Sequence, residues 1–109
     1  MPGTLIISDT ELCALLSNGL ENALNAAGEQ ETSRRWVELY CGVRQDNFLL
    51  EIRNPHSGGI VFRDGLPATD QPNHGYGCHS IRAITESHQG ICEFSAEGEI
   101  FTLRVVLPV

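Results

Sequence analysis

The 109-residue sequence has neither a long apolar run nor a basic N-terminus. A membrane-spanning helix needs roughly 18 or more consecutive apolar residues, and no stretch approaches that length. The opening MPGTLIISD also lacks the basic start and apolar stretch of a secretory signal peptide. The sequence therefore predicts one domain over residues 1–109 that is not inserted in a membrane.

Basic residues are also few. The chain has 7 Lys and Arg against 14 Asp and Glu, which gives a formal net charge of -7 at pH 7. Surfaces that bind nucleic acid or anionic membranes need clustered positive charge, so we expect neither partner. A phosphate ligand is not excluded, because backbone amides and a bound metal can hold phosphate without basic side chains.

Closely spaced cysteines are missing as well. The four cysteines form no CxxC motif, and the four histidines do not combine with them at the spacing of a zinc finger. We therefore expect no zinc site. The cysteines lie in apolar or periodic segments, which favours buried, reduced thiols of a cytoplasmic protein. They are Cys13, Cys41, Cys78 and Cys92.

The chain does contain the pattern of a helix followed by a hairpin, and it contains it twice. The capping-box sequence SDTE precedes apolar residues at helical spacing, and alternating apolar residues mark the strands. This order predicts an α+β fold, a two-layer sandwich of antiparallel strand pairs with helices on one face. The predicted helices span 9–27 and 78–90, and the predicted strands span 36–43, 48–54, 91–97 and 99–108.

Three asparagines lie close together on the first predicted helix. At 100° per residue, Asn18, Asn22 and Asn25 fall within about 60° of one another. Asparagine is roughly 0.7 kcal/mol worse than alanine in a helix, yet its amide oxygen suits Mg²⁺. A solvated face and a ligand site both remain open from this pattern. The apolar face predicted opposite comprises Leu12, Leu16, Leu20, Ala23, Leu24 and Ala27.

The second polar signal is the glycine-rich sequence NHGYG at the end of a long predicted loop over 54–77. Gly75 and Gly77 permit close approach of a ligand, and free amides at the following helix start favour an anion. Taken alone, the pattern equally fits an ordinary loop and helix start.

In order, the segments LLSNGLENALNAA, RNPHSGG, NHGYGCHSI and FTLRVVLP resemble the ATP-binding catalytic domain of sensor histidine kinases. These domains belong to the GHKL superfamily, and the resemblance is greatest to the peptide- and quorum-sensing subfamily of Gram-positive bacteria. It implies the Bergerat ATP-binding fold with a mixed, mostly antiparallel sheet. It also implies ATP and Mg²⁺ as ligands and transfer of the γ-phosphoryl group to a histidine on a separate dimerisation domain.

The resemblance assigns roles to the asparagines. Asn22 matches the asparagine that coordinates the Mg²⁺ bridging the nucleotide phosphates, and Asn25 would assist through hydrogen bonds. Asn18 matches a position where ATP-hydrolysing members carry a water-activating glutamate. An amide cannot act as a general base, so the resemblance implies a kinase in which Asn18 and Asn22 are the catalytic residues.

The glycine boxes supply the other expected nucleotide contacts. Asn54 stands where the family usually carries the aspartate that reads the adenine amino group. The second glycine box would close over the phosphates. Departures from the family pattern are His56 at a glycine position and His79 at a frequent lysine position. With fewer cations near the γ-phosphate, either ATP binding is weaker or Arg63 or Arg82 takes that role. The remaining expected ligand contacts are Gly58, His74, Gly75, Tyr76 and Gly77.

The resemblance also implies a larger assembly. No segment of the chain matches a phosphoacceptor domain, so we expect the soluble, cytoplasmic C-terminal fragment of a longer, membrane-anchored receptor kinase. Its partners would be its own dimerisation domain and a response regulator. Two alternatives are a degenerate module that binds nucleotide or a partner without catalysis, and an anti-sigma-type serine kinase.

Overall fold

Helix α1 begins at the predicted capping box. In the computed structural model, which describes residues 7–56, 62–67 and 76–108, α1 spans Asp9–Gly28. The Ser8 hydroxyl accepts from the Glu11 amide at 3.1 Å, and the Glu11 carboxylate accepts from the Ser8 amide at 3.2 Å. These bonds satisfy two amides that a helix start leaves without helical partners. The prediction of a helix over 9–27 is thus confirmed.

The remaining elements follow the predicted order, with one addition. A 3-10 turn covers Thr32–Arg34, and a short hairpin interrupts the segment that we predicted to be loop throughout. Within the described residues, no helix combines the length and apolar character that crossing a membrane requires. The strands are β1 (Glu38–Arg44), β2 (Asn47–Pro55), β3 (Phe62–Arg63), β4 (Leu66–Pro67), β5 (Ile91–Glu97) and β6 (Ile100–Pro108), and the second helix is α2 (Tyr76–Ser87).

The main sheet has the strand order β1-β2-β6-β5, and its three pairings are antiparallel. The β1–β2 and β5–β6 hairpins are joined in the centre by β2 and β6, whose register runs from Asn47↔Pro108 to Pro55↔Ile100. Both helices cover the face that carries Leu50 and Leu103. The α+β sandwich with a mostly antiparallel sheet and helices on one face is therefore confirmed.

The turn between β1 and β2 is tight. Gln45 and Asp46 have φ values of 49° and 64°, so both central residues are left-handed. That combination is typical of a two-residue type I′ turn, which matches the twist of the flanking strands. The turn therefore fixes the register of β1 on β2 from Arg44↔Asn47 onward.

The core lies between the helices and alternate residues of the central strands. Helix α1 contributes Leu15, Gly19, Ala23 and Ala27. The predicted inward position of Leu24 is wrong, since its side chain is 61% exposed. The buried line advances by four residues at a time, so Leu24 lies outside the part of α1 that meets the sheet.

Strand β1 is less buried than predicted, because it lies at the edge of the sheet. The residues expected to share its inward face include Leu39 and Cys41, and both are exposed. They lie opposite the buried Ile52 and Leu50 of β2, so they do point to the helix side of the sheet. The helices pack over the inner strands and leave this edge uncovered.

The expectation of four buried thiols is only half right. All four cysteines are free, but Cys13 and Cys41 are exposed. Cys78 is buried and Cys92 is half-buried. Burial raises the pKa of the Cys78 thiol, and it raises that of Cys92 to about 11. These two thiols are consequently protonated at neutral pH.

A polar contact joins the two helices. The Nε2 atom of His88, just after α2, lies 3.0 Å from Oε1 of Glu11 in the first turn of α1. This hydrogen bond, followed by the one from the Ser8 amide, holds the pKa of Glu11 below its usual value of 4.5. One carboxylate therefore both caps α1 and ties it to the end of α2.

A substitution at Gly19 tests how closely α1 packs against the sheet. A Cβ atom there would lie 2.7 Å from Cδ1 of Ile52 and 3.1 Å from Cδ2 of Leu103, and both side chains are buried. We expect Gly19→Ala to destabilise the domain by about 1 kcal/mol, because overpacking of about 1–3 kcal/mol outweighs a gain of about 1 kcal/mol in helix propensity. Urea denaturation measures the change in free energy.

Gly28→Ala is the matched control. Nothing lies within 4 Å of a Cβ atom at Gly28, which is in the same helix. This variant should be neutral or more stable than the wild type. Equal effects of the two substitutions would contradict the close packing at Gly19.

The Glu11 carboxylate should give the domain a defined acid sensitivity. A folded-state pKa below the unfolded value contributes stability above about pH 4.5, and that stability is lost as the pH falls through the folded pKa. We expect Glu11→Gln to be less stable than the wild type at pH 7, with the difference shrinking towards pH 3. Glu21→Gln, at an exposed position on the same helix, is the control. A difference between Glu11→Gln and wild type that is independent of pH would contradict this role.

Candidate functional site

The asparagine stripe lies at the border between core and surface. Asn18 and Asn22 are half-buried, whereas Asn25 is exposed. Gly19, at the centre of the buried line of α1, is offset from Asn22 by only about 60° around the helix. The stripe therefore flanks the apolar face, whereas the sequence predicted it on the opposite side. At this border, a side chain is held in place by packing while its polar end can meet a ligand.

The first turn of α2 lies directly against this stripe. A Cβ atom on Gly77 would be 3.3 Å from Oδ1 of Asn18 and 3.5 Å from its Cγ. Any larger residue at position 77 would push on the Asn18 carboxamide. The two polar patterns that the sequence places about 60 residues apart, at Asn18 and Gly77, thus meet in one place.

Asn54 lies on the helix-facing side of β2. It follows Ile52 by two residues, so the two side chains share a face and lie about 7 Å apart along the strand. Ile52 is the residue that α1 approaches at Gly19. The Asn54 side chain is 1% exposed, and its Nδ2 donates to the Pro55 carbonyl oxygen at 2.9 Å. That bond fixes the plane of a buried carboxamide on β2, the strand against which α1 packs.

Several predicted contacts lie outside the described residues. Gly58, His74 and Gly75 are among them, and Tyr76 is the residue at which α2 begins. His56, at the glycine position of the first box, is buried. Its amide donates to the Glu99 carbonyl oxygen at 2.9 Å, which extends the β2–β6 pairing by one residue.

The two candidate phosphate cations have different surroundings. Arg63 is exposed on β3. The guanidinium of Arg82, on α2, donates to the Asp64 carbonyl oxygen in the turn of the β3–β4 hairpin. Arg82 therefore holds the hairpin against α2. This role of Arg82 was not predicted from the sequence, although the Asp64–Gly65 pair is a hairpin signal.

Aromatic packing anchors the same hairpin to the core. The rings of Phe62 and Phe101 are stacked, with centroids 6.4 Å apart and planes 5° from parallel. Leu66, on the other strand of the hairpin, is buried. Phe101 is also the residue opposite Asn54 in the β2–β6 pairing. The hairpin is thus anchored next to the buried carboxamide.

The polar side chains fit a magnesium site that is completed by substrate phosphates better than a site made of protein ligands alone. Among the residues that the structure describes, no group of three or more His, Cys, Asp or Glu could hold a metal ion. Mg²⁺ usually keeps several waters and binds through few protein oxygens together with substrate phosphates. The half-buried carboxamide of Asn22 fits the part of one such oxygen ligand.

Comparison with solved structures shows the same fold. The Acinetobacter baumannii histidine kinase AdeS is 19% identical, with a TM-score of 0.68, and covers 91% of this chain. The catalytic domain of the histidine kinase ThkA is 16% identical, with a TM-score of 0.73 over 94% of this chain. The histidine kinase domain of the E. coli osmosensor EnvZ is 18% identical, with a TM-score of 0.64 over 99% of this chain.

The matches differ in how much of the other protein they include. This chain spans 46% of the AdeS chain, 68% of the ThkA chain and 71% of the EnvZ chain. It therefore spans about half the length of the AdeS structure. No curated protein matches the sequence.

A family model described as "GHKL domain" matches residues 7–108. This range contains the asparagine stripe, Asn54 and both glycine-rich segments. Since the match covers almost the whole sequence, the chain belongs to the GHKL domain family.

Proposed function

We propose that the chain is the ATP-binding catalytic domain of a sensor histidine kinase. It would transfer the γ-phosphoryl group of ATP to a histidine on a separate dimerisation domain. The observation that carries the proposal is the contact between Asn18 on α1 and the start of α2 at Gly77. It supports the proposal because the Asn18 carboxamide lies beside a helix N-terminus, where backbone amides favour phosphate.

Asn22, Asn54 and Asn25 have different parts in this proposal. The carboxamide of Asn22 would be the protein ligand of Mg²⁺, which neutralises phosphate charge when bound. Asn54 would present its oriented carboxamide to the adenine amino group. Asn25, which is exposed, would reach the nucleotide only from the rim of the site. Gly58, His74, Gly75 and Tyr76 remain predicted contacts.

The chemistry of Asn18 favours a kinase over an ATP hydrolase. A general base must accept a proton from water within hydrogen-bond reach, and a carboxamide has no basic site for this at neutral pH. Asn18 is half-buried against Gly77, so its amide can orient a phosphate or a water molecule without activating it. Catalysis would then rest on positioning and electrostatic stabilisation of the transferred group.

The phosphoacceptor domain and the response regulator belong to the same proposal. The structural relatives are histidine kinases whose chains extend beyond the matched region, and 46% of the AdeS chain is matched. The peptide- and quorum-sensing subfamily, the membrane anchor and a cytoplasmic location are further parts of it.

A degenerate nucleotide-binding module is the second candidate. The engagement of Arg82 with the Asp64 carbonyl supports it, because this cation then serves the hairpin and not the γ-phosphate. Phosphorylation of a histidine-containing dimerisation domain by this chain would exclude the second candidate. Magnesium-dependent ATP binding without phosphotransfer would favour it.

Calorimetric titration with a non-hydrolysable ATP analogue tests the nucleotide site. We expect binding by the wild type in the presence of Mg²⁺ and much weaker binding after chelation with EDTA. Asn22→Ala should weaken binding in Mg²⁺ at least about tenfold, because loss of groups around a metal typically costs 10–100-fold in affinity. With EDTA, wild type and Asn22→Ala should differ little.

Asn47→Ala is the matched control for this titration. Asn47 is at the opposite end of β2 from Asn54, where its side-chain Nδ2 donates to the Gln45 carbonyl oxygen. This variant should bind the analogue as the wild type does. Absence of binding by a folded wild type, or equal losses in both variants, would contradict the proposed site.

A further inference from the structure

Strand β1 forms one edge of the main sheet. It pairs with β2 over its whole length, from Glu38↔Arg53 to Arg44↔Asn47, with no interruption of the register. In the described sheet, no strand lies on its other side. Because its register contains no bulge, the edge is regular enough to pair with another strand.

The type I′ turn determines which backbone groups of β1 face outward. A two-residue turn makes Arg44 and Asn47 a hydrogen-bonded pair, so the N–H and C=O of Arg44 point to β2. The direction alternates along an antiparallel strand. The N–H and C=O groups of Leu39, Cys41 and Val43 consequently point away from β2.

The side chains on this edge do little to prevent pairing. Natural edge strands are commonly guarded by lysine, proline or a β-bulge, and β1 has none of these. Leu39 is 49% exposed and Tyr40 is 47% exposed, although both are large and apolar. Charge is confined to the two ends of the strand, at Glu38 and Arg44.

We propose that β1 pairs antiparallel with β1 of a second copy of this chain. Full overlap of the two seven-residue strands centres the register on Cys41. The outward-facing groups then meet one another: Cys41 lies opposite Cys41, and Leu39 lies opposite Val43 of the other copy. This register gives every outward N–H and C=O of the strand a partner.

The charges at the strand ends favour the same arrangement. In the fully overlapped antiparallel register, Glu38 of each copy lies opposite Arg44 of the other, so two opposite-charge pairs form. These are non-hydrogen-bonded positions, where side chains come closest. A parallel arrangement would place like charges together. Tyr40 lies opposite Gly42 of the other copy. Each Tyr40 ring extends along its own strand over Gly42, so the two rings lie side by side across the interface.

The symmetry also accounts for the uncovered helix side of β1. A two-fold axis perpendicular to the sheet puts the helices of both copies on the same face. Leu39, Cys41 and Val43 of the two copies then form one apolar strip beside the buried residues of β2. A contact limited to one edge strand is small, so the dimer is expected to be weak and to appear at high concentration.

Amide exchange by NMR at several protein concentrations tests the register directly. As the concentration rises, exchange should slow at Leu39, Cys41 and Val43. The amides of Tyr40 and Gly42 are bonded to β2 in the monomer, so their exchange should not depend on concentration. Exchange at all five positions that is independent of concentration would overturn the proposal.

Charge reversal tests the partner and the orientation. Glu38→Arg and Arg44→Glu should each weaken self-association about tenfold in sedimentation experiments, because both end pairs become repulsive. An equimolar mixture of the two variants should associate at least as well as the wild type, since opposite charges again meet at both ends. Glu21→Arg, on the exposed side of α1, should leave association unchanged.

Two results of the sedimentation experiments would overturn the proposal: a wild type that stays monomeric at all concentrations, or a mixture that associates no better than its components. Binding of the ATP analogue should be unaffected in all three charge variants. Failure of the edge pairing would therefore be distinct from failure of the proposed nucleotide site.

Discussion

The close approach of α1 to the sheet at Gly19 is the constraint on which the rest of the structure depends. With no side chain at this point, the helix rests directly on Ile52 and Leu103. This depth brings the neighbouring Asn18 and Asn22 down to the border of the core and leaves Asn25 outside it. The carboxamides of the proposed site are thus placed by an apolar contact that is one residue from Asn18 and three residues from Asn22.

The position of α2 depends on close approaches at two glycines, one at its start and one just beyond its end. At its start, Gly77 lies against Asn18, and just beyond its end a Cβ atom on Gly90 would be only 2.4 Å from the Val106 carbonyl oxygen. Between these ends, Arg82 holds the β3–β4 hairpin, and His88 reaches Glu11. Helix α2 is therefore connected to α1, to the hairpin and to the sheet, and these contacts set the position of the proposed phosphate-binding end.

Short sequence patterns predicted the helices and strands well. The capping box placed the start of α1, and alternation placed the four long strands, because both patterns act over a few neighbouring residues. Burial was predicted less well. The exposure of Leu39 and Leu24 depends on which strand becomes an edge and where α1 crosses the sheet, and both are set by the distant β2–β6 pairing.

In the candidate site too, some features could be predicted from the sequence and others depend on distant contacts. The ordered motifs predicted Asn18, Asn22 and Asn54 as one group, and the structure places Gly77 against Asn18. The part of Arg82 in holding the hairpin could not be predicted, because a guanidinium that could serve phosphate equally serves a backbone carbonyl. Its partner depends on the path of a turn 18 residues away in sequence.

The central pairing of β2 with β6 has a consequence for how the chain folds. Each half of the chain, a helix and a hairpin, contains mostly local contacts, which form quickly. The sheet is completed only when partners 45 residues apart (Pro55 and Ile100) to 61 residues apart (Asn47 and Pro108) meet. Closing such long loops costs entropy before any contact repays it, so docking of the two halves should limit the folding rate. Until that step, the inner edges of both hairpins have no strand partner, as is the case for the outer edge of β1 in the described sheet.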